Sequence, residues 1–91
     1  MEDKELIKIL KAVANENRFA ILKYLRKDKE LSVGDLAEIT DLPFRSVSKD
    51  LAVLRSAGLV KCKNHYSTRL YSIDISNYST SLSKLFHYFL E

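Results

Sequence analysis

Apolar positions recur along the chain at helical intervals, then at every second residue, then at helical intervals again, and each of these two changes marks an element boundary. From Asp3 to Ala14, Leu6, Ile9, Leu10 and Val13 return every three or four residues with Lys4, Lys8 and Lys11 between them, which predicts an amphipathic helix. Asn15 is the expected N-cap of a second helix carrying Phe19, Ile21, Leu22 and Leu25, and Arg26, Lys27 and Lys29 suit its C-terminal end. Ser32 stands three residues before Asp35, the spacing of a capping box, ahead of a short third helix with Val33, Leu36, Ala37 and Ile39. Asp41-Leu42 breaks it. Pro43 fits the first position of a fourth helix, where its missing N–H would be unpaired in any case, and Val47, Leu51 and Leu54 follow at helical spacing. Gly58 is expected to end that helix in a left-handed conformation.

After Gly58 the period becomes two. Leu59-Val60-Lys61-Cys62-Lys63 and Arg69-Leu70-Tyr71-Ser72-Ile73 alternate apolar with polar residues and predict the two strands of a hairpin. Asn64-His65-Tyr66-Ser67-Thr68 connects them, with Asn64 the expected source of a positive φ where no glycine is available. Tyr78, Leu82, Leu85, Phe86, Phe89 and Leu90 define a terminal helix from about Asn77. The predicted fold is mainly α with a β-hairpin wing: four helices, a two-stranded ribbon and a fifth helix, the order of a winged helix-turn-helix. The sequence is expected to form one such domain over residues 1–91, with dimerisation helices at both ends.

Charge sharpens this picture because it is unevenly placed. Residues 1–41 carry 8 basic and 9 acidic side chains, and residues 74–91 carry 1 and 2. Between them, Arg45, Lys49, Arg55, Lys61, Lys63 and Arg69 face only Asp50, a local net of +5 within a chain of net +3. A cationic segment of this kind suits a polyanion, since each neutralised phosphate releases condensed counterions. A solvated surface short of acids has the same composition, so charge alone does not decide.

The fourth helix separates the two readings. At 100° per residue, Val47, Leu51 and Leu54 fall within about 60° of one another, and Arg45, Lys49, Ala52 and Ser56 cluster opposite them, with Ser46 alongside. One face is to be buried. The other combines small residues, which let the backbone approach a groove, with long donors in Arg45 and Lys49 and short ones in Ser46 and Ser48. These four, with Lys63, His65 and Arg69 around the hairpin tip, are the candidate contacts to double-stranded DNA. Phe44, within about 60° of Val47, is expected to pack at the helix entry in preference to touching a thymine methyl, and Arg55 to lie along the helix with its stem packed. Asp50 either turns toward the helix-turn-helix partner or accepts from cytosine N4; the sequence leaves both open.

Leu10-Lys11-Ala12-Val13-Ala14-Asn15-Glu16-Asn17-Arg18-Phe19-Ala20-Ile21-Leu22-Lys23-Tyr24-Leu25 resembles the opening helix pair of the ArsR/SmtB group of small dimeric repressors. Leu31-Ser32-Val33-Gly34-Asp35-Leu36-Ala37 is similar to the start of that group's helix-turn-helix. Val47-Ser48-Lys49-Asp50-Leu51-Ala52-Val53-Leu54-Arg55-Ser56-Ala57-Gly58-Leu59-Val60 is similar to its recognition helix running into the wing. The resemblance implies a homodimer on a pseudo-palindromic operator, joined through the first and last helices, here by Leu6, Ile9, Leu10, Leu82, Leu85, Phe86 and Phe89. It does not extend to the metal sites of the group. Where soft-metal sensors carry cysteines this chain has Ser32 and Gly34. Of the four ligand positions on the group's last helix, Asp74 and His87 are in register, but Ser76 and Leu90 replace the other two. No metal, cofactor or inducer is assigned from the sequence.

Other function classes lose ground on composition. Two histidines, one cysteine and no glycine-rich phosphate loop form no catalytic set, so no enzyme is expected. Cys62, between Lys61 and Lys63, is expected to face inward as a small hydrophobe and has no partner for an internal disulfide. No apolar run is long enough to span a bilayer, and the acidic start, Glu2-Asp3-Lys4-Glu5, is unlike a signal peptide, so the cytoplasm is the expected location. The surviving alternative is a winged-helix module that assembles proteins without binding DNA.

Overall fold

A computed structural model describes residues 2–74. Helix α1 spans Asp3–Val13, α2 Glu16–Asp28, α3 Val33–Thr40 and α4 Phe44–Ser56; strand β1 (Leu31–Ser32) precedes α3, and β2 (Val60–His65) and β3 (Thr68–Ile73) follow α4. The expected terminal helix, with Leu82, Leu85, Phe86 and Phe89, lies outside the described residues.

Local chemistry sets the boundaries. Asn15 Oδ1 accepts from the Arg18 N–H at 3.1 Å and starts α2. Ser32 and Asp35 close a reciprocal capping box: the Ser32 hydroxyl accepts from the Asp35 N–H and the Asp35 carboxylate accepts from the Ser32 N–H, each at 3.0 Å. The Ser32 N–H, and then its hydroxyl, hold the Asp35 carboxyl below its ordinary pKa, against a small opposing effect of burial. Asp41 ends α3 in the left-handed region at φ 58°. Pro43 then stands at the N-cap, one residue before the helical position expected for it, because its ψ of 142° is extended and Phe44 is the first helical residue. At the other end of α4, Gly58 takes φ 77°, its N–H reaching Arg55 O and that of Leu59 reaching Leu54 O, both at 2.9 Å. These two bonds form a Schellman motif.

The sheet has three strands in the order β1-β3-β2, all antiparallel, where the sequence pattern predicted two. The added strand is only Leu31 and Ser32, paired with Tyr71 and Leu70. Two residues carry no readable alternation, and Ser32 is at once the strand end and the α3 cap. At the hairpin tip the positive φ falls on Tyr66, at 57°, and not on Asn64. His65 pairs with Thr68, leaving a two-residue loop of Tyr66 and Ser67, so Asn64 is strand, opposite Arg69. Positive φ belongs at the first position of a tight II′-type turn, and a shorter loop than expected moved that position by two residues.

One core collects the apolar face of every element: Ile9 and Ala12 from α1, Ile21, Leu22 and Leu25 from α2, Leu36 from α3, Val47, Leu51 and Leu54 from α4, and Leu59, Val60 and Tyr71 around the sheet. Ile9 corrects one expectation. Grouped with Leu6 and Leu10 as an intersubunit contact, it is 4% exposed and belongs to the protomer's own core. One residue of helix is about 100° of arc, so Ile9 and its neighbour Leu10 point different ways. Leu6, Ile7 and Leu10 instead stand 37%, 50% and 51% exposed, a second apolar stripe on α1 outside the core of the described residues.

Candidate nucleic-acid interface

Helix α4 is propped from behind by Val47, Leu51 and Leu54, all inaccessible to solvent, and pinned at its end by the Gly58 motif. Its outward ridge carries Arg45, Ser48, Lys49, Ala52 and Ser56, all exposed, while Ser46 is half-buried on the flank away from the wing. Neither Arg45 nor Lys49 has an acidic partner among the described residues. The start of the helix adds to this surface, since Pro43 offers no side-chain acceptor to the first-turn N–H groups. Uncapped N–H groups at a helix start suit a phosphate.

Asp50, the single acid of the basic segment, is turned away from this ridge. Its carboxylate accepts from Arg18 Nη1 at 3.2 Å, with the two side chains 13% and 18% exposed. The same guanidinium donates from Nε to Ala12 O at 2.7 Å and from Nη2 to Lys11 O at 3.3 Å. Arg18 therefore joins the end of α1 to the middle of α4 and settles the orientation of Asp50, which the sequence left open. A signal for it was present: on α2, Arg18 falls within about 60° of Ile21, Leu22 and Leu25, and a cation inside an apolar stripe needs a partner.

The hairpin distributes its charges by register. Residues paired across an antiparallel ladder share a face, so Arg69 and Asn64 lie on the same face as Cys62, Tyr71, Val60 and Ile73, the face that packs toward α4. Arg69 accordingly lines a hollow with Ser48, Ala52, Arg55 and Ser56. Lys63 and His65 project from the opposite face. Lys63 Nζ lies 2.9 Å from Glu30 Oε2, a surface pair that partly neutralises it. His65 is exposed, its ring edge-on to Tyr66 with centroids 4.8 Å apart. Among the wing residues singled out from the sequence, Arg69 is brought to α4 and the other two are not. Cys62 is half-buried against the core, as its alternation indicated.

Two α4 residues depart from expectation. Arg55 is exposed and lines the hollow shared with Arg69, together with Ser48, Ala52, Ser56 and Tyr71. Phe44 is not packed at the helix entry: it is 61% exposed. Helical side chains lean toward the N-terminus, so the first residue of α4 overhangs the Asp41–Pro43 turn, and no preceding helical turn receives it.

These features define a class before they define a family: a helix-turn-helix with a wing, its second helix presented outward. A family model described as a helix-turn-helix domain matches residues 13–63. Over 65 residues the chain is 43% identical to the transcriptional activator HlyU of Vibrio cholerae, covering 71% of this chain and 59% of that protein. It is 35% identical over 69 residues to the HTH-type transcriptional regulator KmtR of Mycobacterium tuberculosis, covering 76% and 52%. The chain thus spans somewhat over half the length of these curated relatives. The structure of reduced HlyU superposes with a TM-score of 0.78 at 34% identity, covering 93% of this chain and 84% of that one. A homodimeric winged helix-turn-helix DNA-binding domain from Mycobacterium bovis, described as a possible ArsR-family regulator, gives 0.80 at 26% identity, covering 97% and 82%. The chain belongs to the ArsR-type winged helix-turn-helix transcriptional regulators.

Proposed function

We propose that this DNA-binding regulator works as a homodimer, each protomer laying α4 into a major groove of a pseudo-palindromic operator, with repression as the outcome of occupancy. The observation that carries the reading is the outward ridge of α4, where Arg45 and Lys49 stand without acidic neighbours among the described residues while Asp50 is drawn behind them by Arg18. Arg45 and Lys49 take base edges or phosphate, and Ser46 and Ser48 add short hydrogen bonds. Arg69 and Arg55 hold the flanking phosphates, and His65 and Lys63 approach the backbone from the wing. The exposed stripe of Leu6, Ile7 and Leu10 on α1 supports self-association, together with the apolar segment holding Leu82, Leu85, Phe86 and Phe89. Two-fold symmetry then sets the recognition helices about 34 Å apart on one side of the duplex.

A dimer seated across a promoter excludes polymerase by occupancy alone, so repression needs no further surface. In this reading the protein is not an enzyme and acts in the cytoplasm, where its operator is. No described helix is long and apolar enough to cross a membrane. The test is selection of bound fragments from random duplex DNA at stated salt, followed by titration of the winner. A two-fold symmetric site whose affinity falls steeply with salt is expected; no selected sequence, or binding indifferent to ionic strength, overturns the reading.

A further inference from the structure

An aromatic ring standing in water at the leading end of a DNA-facing helix calls for an apolar partner, and the major groove supplies only one. Of the four bases, thymine alone presents a hydrocarbon group there, its 5-methyl; the other edges are hydrogen-bond donors and acceptors. Phe44 is the first residue of α4 and is 61% exposed, although Val47, about 60° away on the helix, is fully buried. It shares a strip of about 40° of arc with Ser48 and Arg55, both of which open into the hollow facing Arg69. The ring is therefore continuous with the surface assigned to DNA. It also stands at the end of the helix whose residues reach base edges in this class of docking.

We propose that Phe44 is a specificity-determining residue that packs on the 5-methyl group of a thymine in each operator half-site. This rests on the reading of α4 as the groove-entering helix and names part of what that helix reads. The contact discriminates in two ways. It gains the burial of a methyl group at the correct position, and it leaves the cytosine amino group or a purine edge facing a ring with which it forms no conventional hydrogen bond.

The experiment uses the full chain and the duplex recovered by selection. Each thymine is replaced in turn by deoxyuridine, which removes the methyl and keeps every hydrogen-bonding group. One position per half-site is expected to weaken binding by about fourfold, the worth of one buried methyl, and other positions by less. In Phe44→Ala that sensitivity disappears, while the slope of affinity against salt is unchanged, because no phosphate contact is lost. Phe44→Leu, which keeps an apolar side chain, retains part of it. Uniform indifference to deoxyuridine in the wild-type chain, or the same sensitive position surviving in Phe44→Ala, overturns the proposal. So does a change of oligomeric state in Phe44→Ala, which would place the ring between subunits. Failure to bind any duplex is a different result and overturns the operator reading itself.

Discussion

Helices α1 and α4 are built alike on one side and differently on the other. Each buries an aliphatic stripe, Ile9 and Ala12 in one and Val47, Leu51 and Leu54 in the other, and each keeps a broad face outside the core. On α4 that free face is Arg45, Ser48, Lys49, Ala52 and Ser56; on α1 it includes Leu6, Ile7 and Leu10. Burial accounts for the backs of both helices and says nothing about their fronts. The fronts are where partner chemistry is written: a cationic, small-residue ridge suits a polyanion in a groove, and an aliphatic stripe suits a second apolar surface.

The largest expected effect tests the α4 side of that contrast. Arg45→Ala with Lys49→Ala should lower affinity for the selected operator by about 3 kcal/mol, a hundredfold or more, since each base or phosphate donor is worth about 1 to 3. Thermal stability and oligomeric state should stay as they are, because both side chains are exposed and unpaired among the described residues. Fluorescence anisotropy and calorimetry on the same preparation read both. A loss of folding in place of a loss of binding would mean that the α4 front is part of the scaffold.

Next in size is the link between the two helices. Arg18→Met removes the cation that holds Asp50 and caps the Lys11 and Ala12 carbonyls. Breaking a buried pair costs about 3 to 5 kcal/mol, and at 18% and 13% exposure about 2 kcal/mol is the better expectation. Urea unfolding measures it. Asp50→Leu in the same chain should recover part of the loss, because the stranded carboxylate is then gone. With Arg18→Met alone, Asp50 is free to turn toward the ridge and operator affinity should fall as well.

The α1 side is tested by Leu6→Glu with Leu10→Glu. Both positions are exposed in the protomer, so the fold should tolerate the change, while self-association weakens by about 2 kcal/mol, some thirtyfold. Sedimentation equilibrium gives the dimer constant. Operator half-sites should bind as before and the full palindrome less tightly. Unchanged dimerisation would remove α1 from the interface.

How much of this was legible beforehand follows the same division. The buried stripes, the Ser32 and Asn15 caps and the Gly58 terminus were readable because periodicity and capping are local in sequence. The α4 ridge was readable too, since it is the complement of a periodic stripe. What escaped depended on pairs far apart in the chain. Arg18 meets Asp50 across 32 positions, Lys63 meets Glu30, and Leu31 meets Tyr71. The hairpin face of Lys63 followed from the alternation around Cys62, but that of Arg69 was lost with the turn: the expected loop ran from Asn64 to Thr68, and only a two-residue loop at Tyr66 and Ser67 fixes which residues oppose each other. Phe44 failed for another reason. A helical wheel has no ends, and a residue in the first turn lacks the neighbours that the wheel assigns to it.

The smallest effect should leave both fronts untouched and so serves as their control. Ser32→Ala opens the capping box of α3 and is expected to cost about 1 kcal/mol. Its pH dependence has a definite sign. Asp35 is held below its ordinary value of 3.8, chiefly by the Ser32 backbone N–H and then by the hydroxyl. The folded state therefore binds its proton more weakly than the unfolded chain does. The stabilisation is complete above 3.8 and disappears as pH falls below it through the lowered folded value. Wild type and Ser32→Ala should thus differ most near neutrality and converge in part in acid, the backbone bond to Asp35 remaining in the variant. Operator affinity and dimerisation at neutral pH should be the same in both, because neither Ser32 nor Asp35 lies on the α4 ridge or the α1 stripe. If Ser32→Ala weakened operator binding at neutral pH with folding intact, α3 would be helping to hold α4 in the groove, and the free face of α4 could no longer be treated as acting alone.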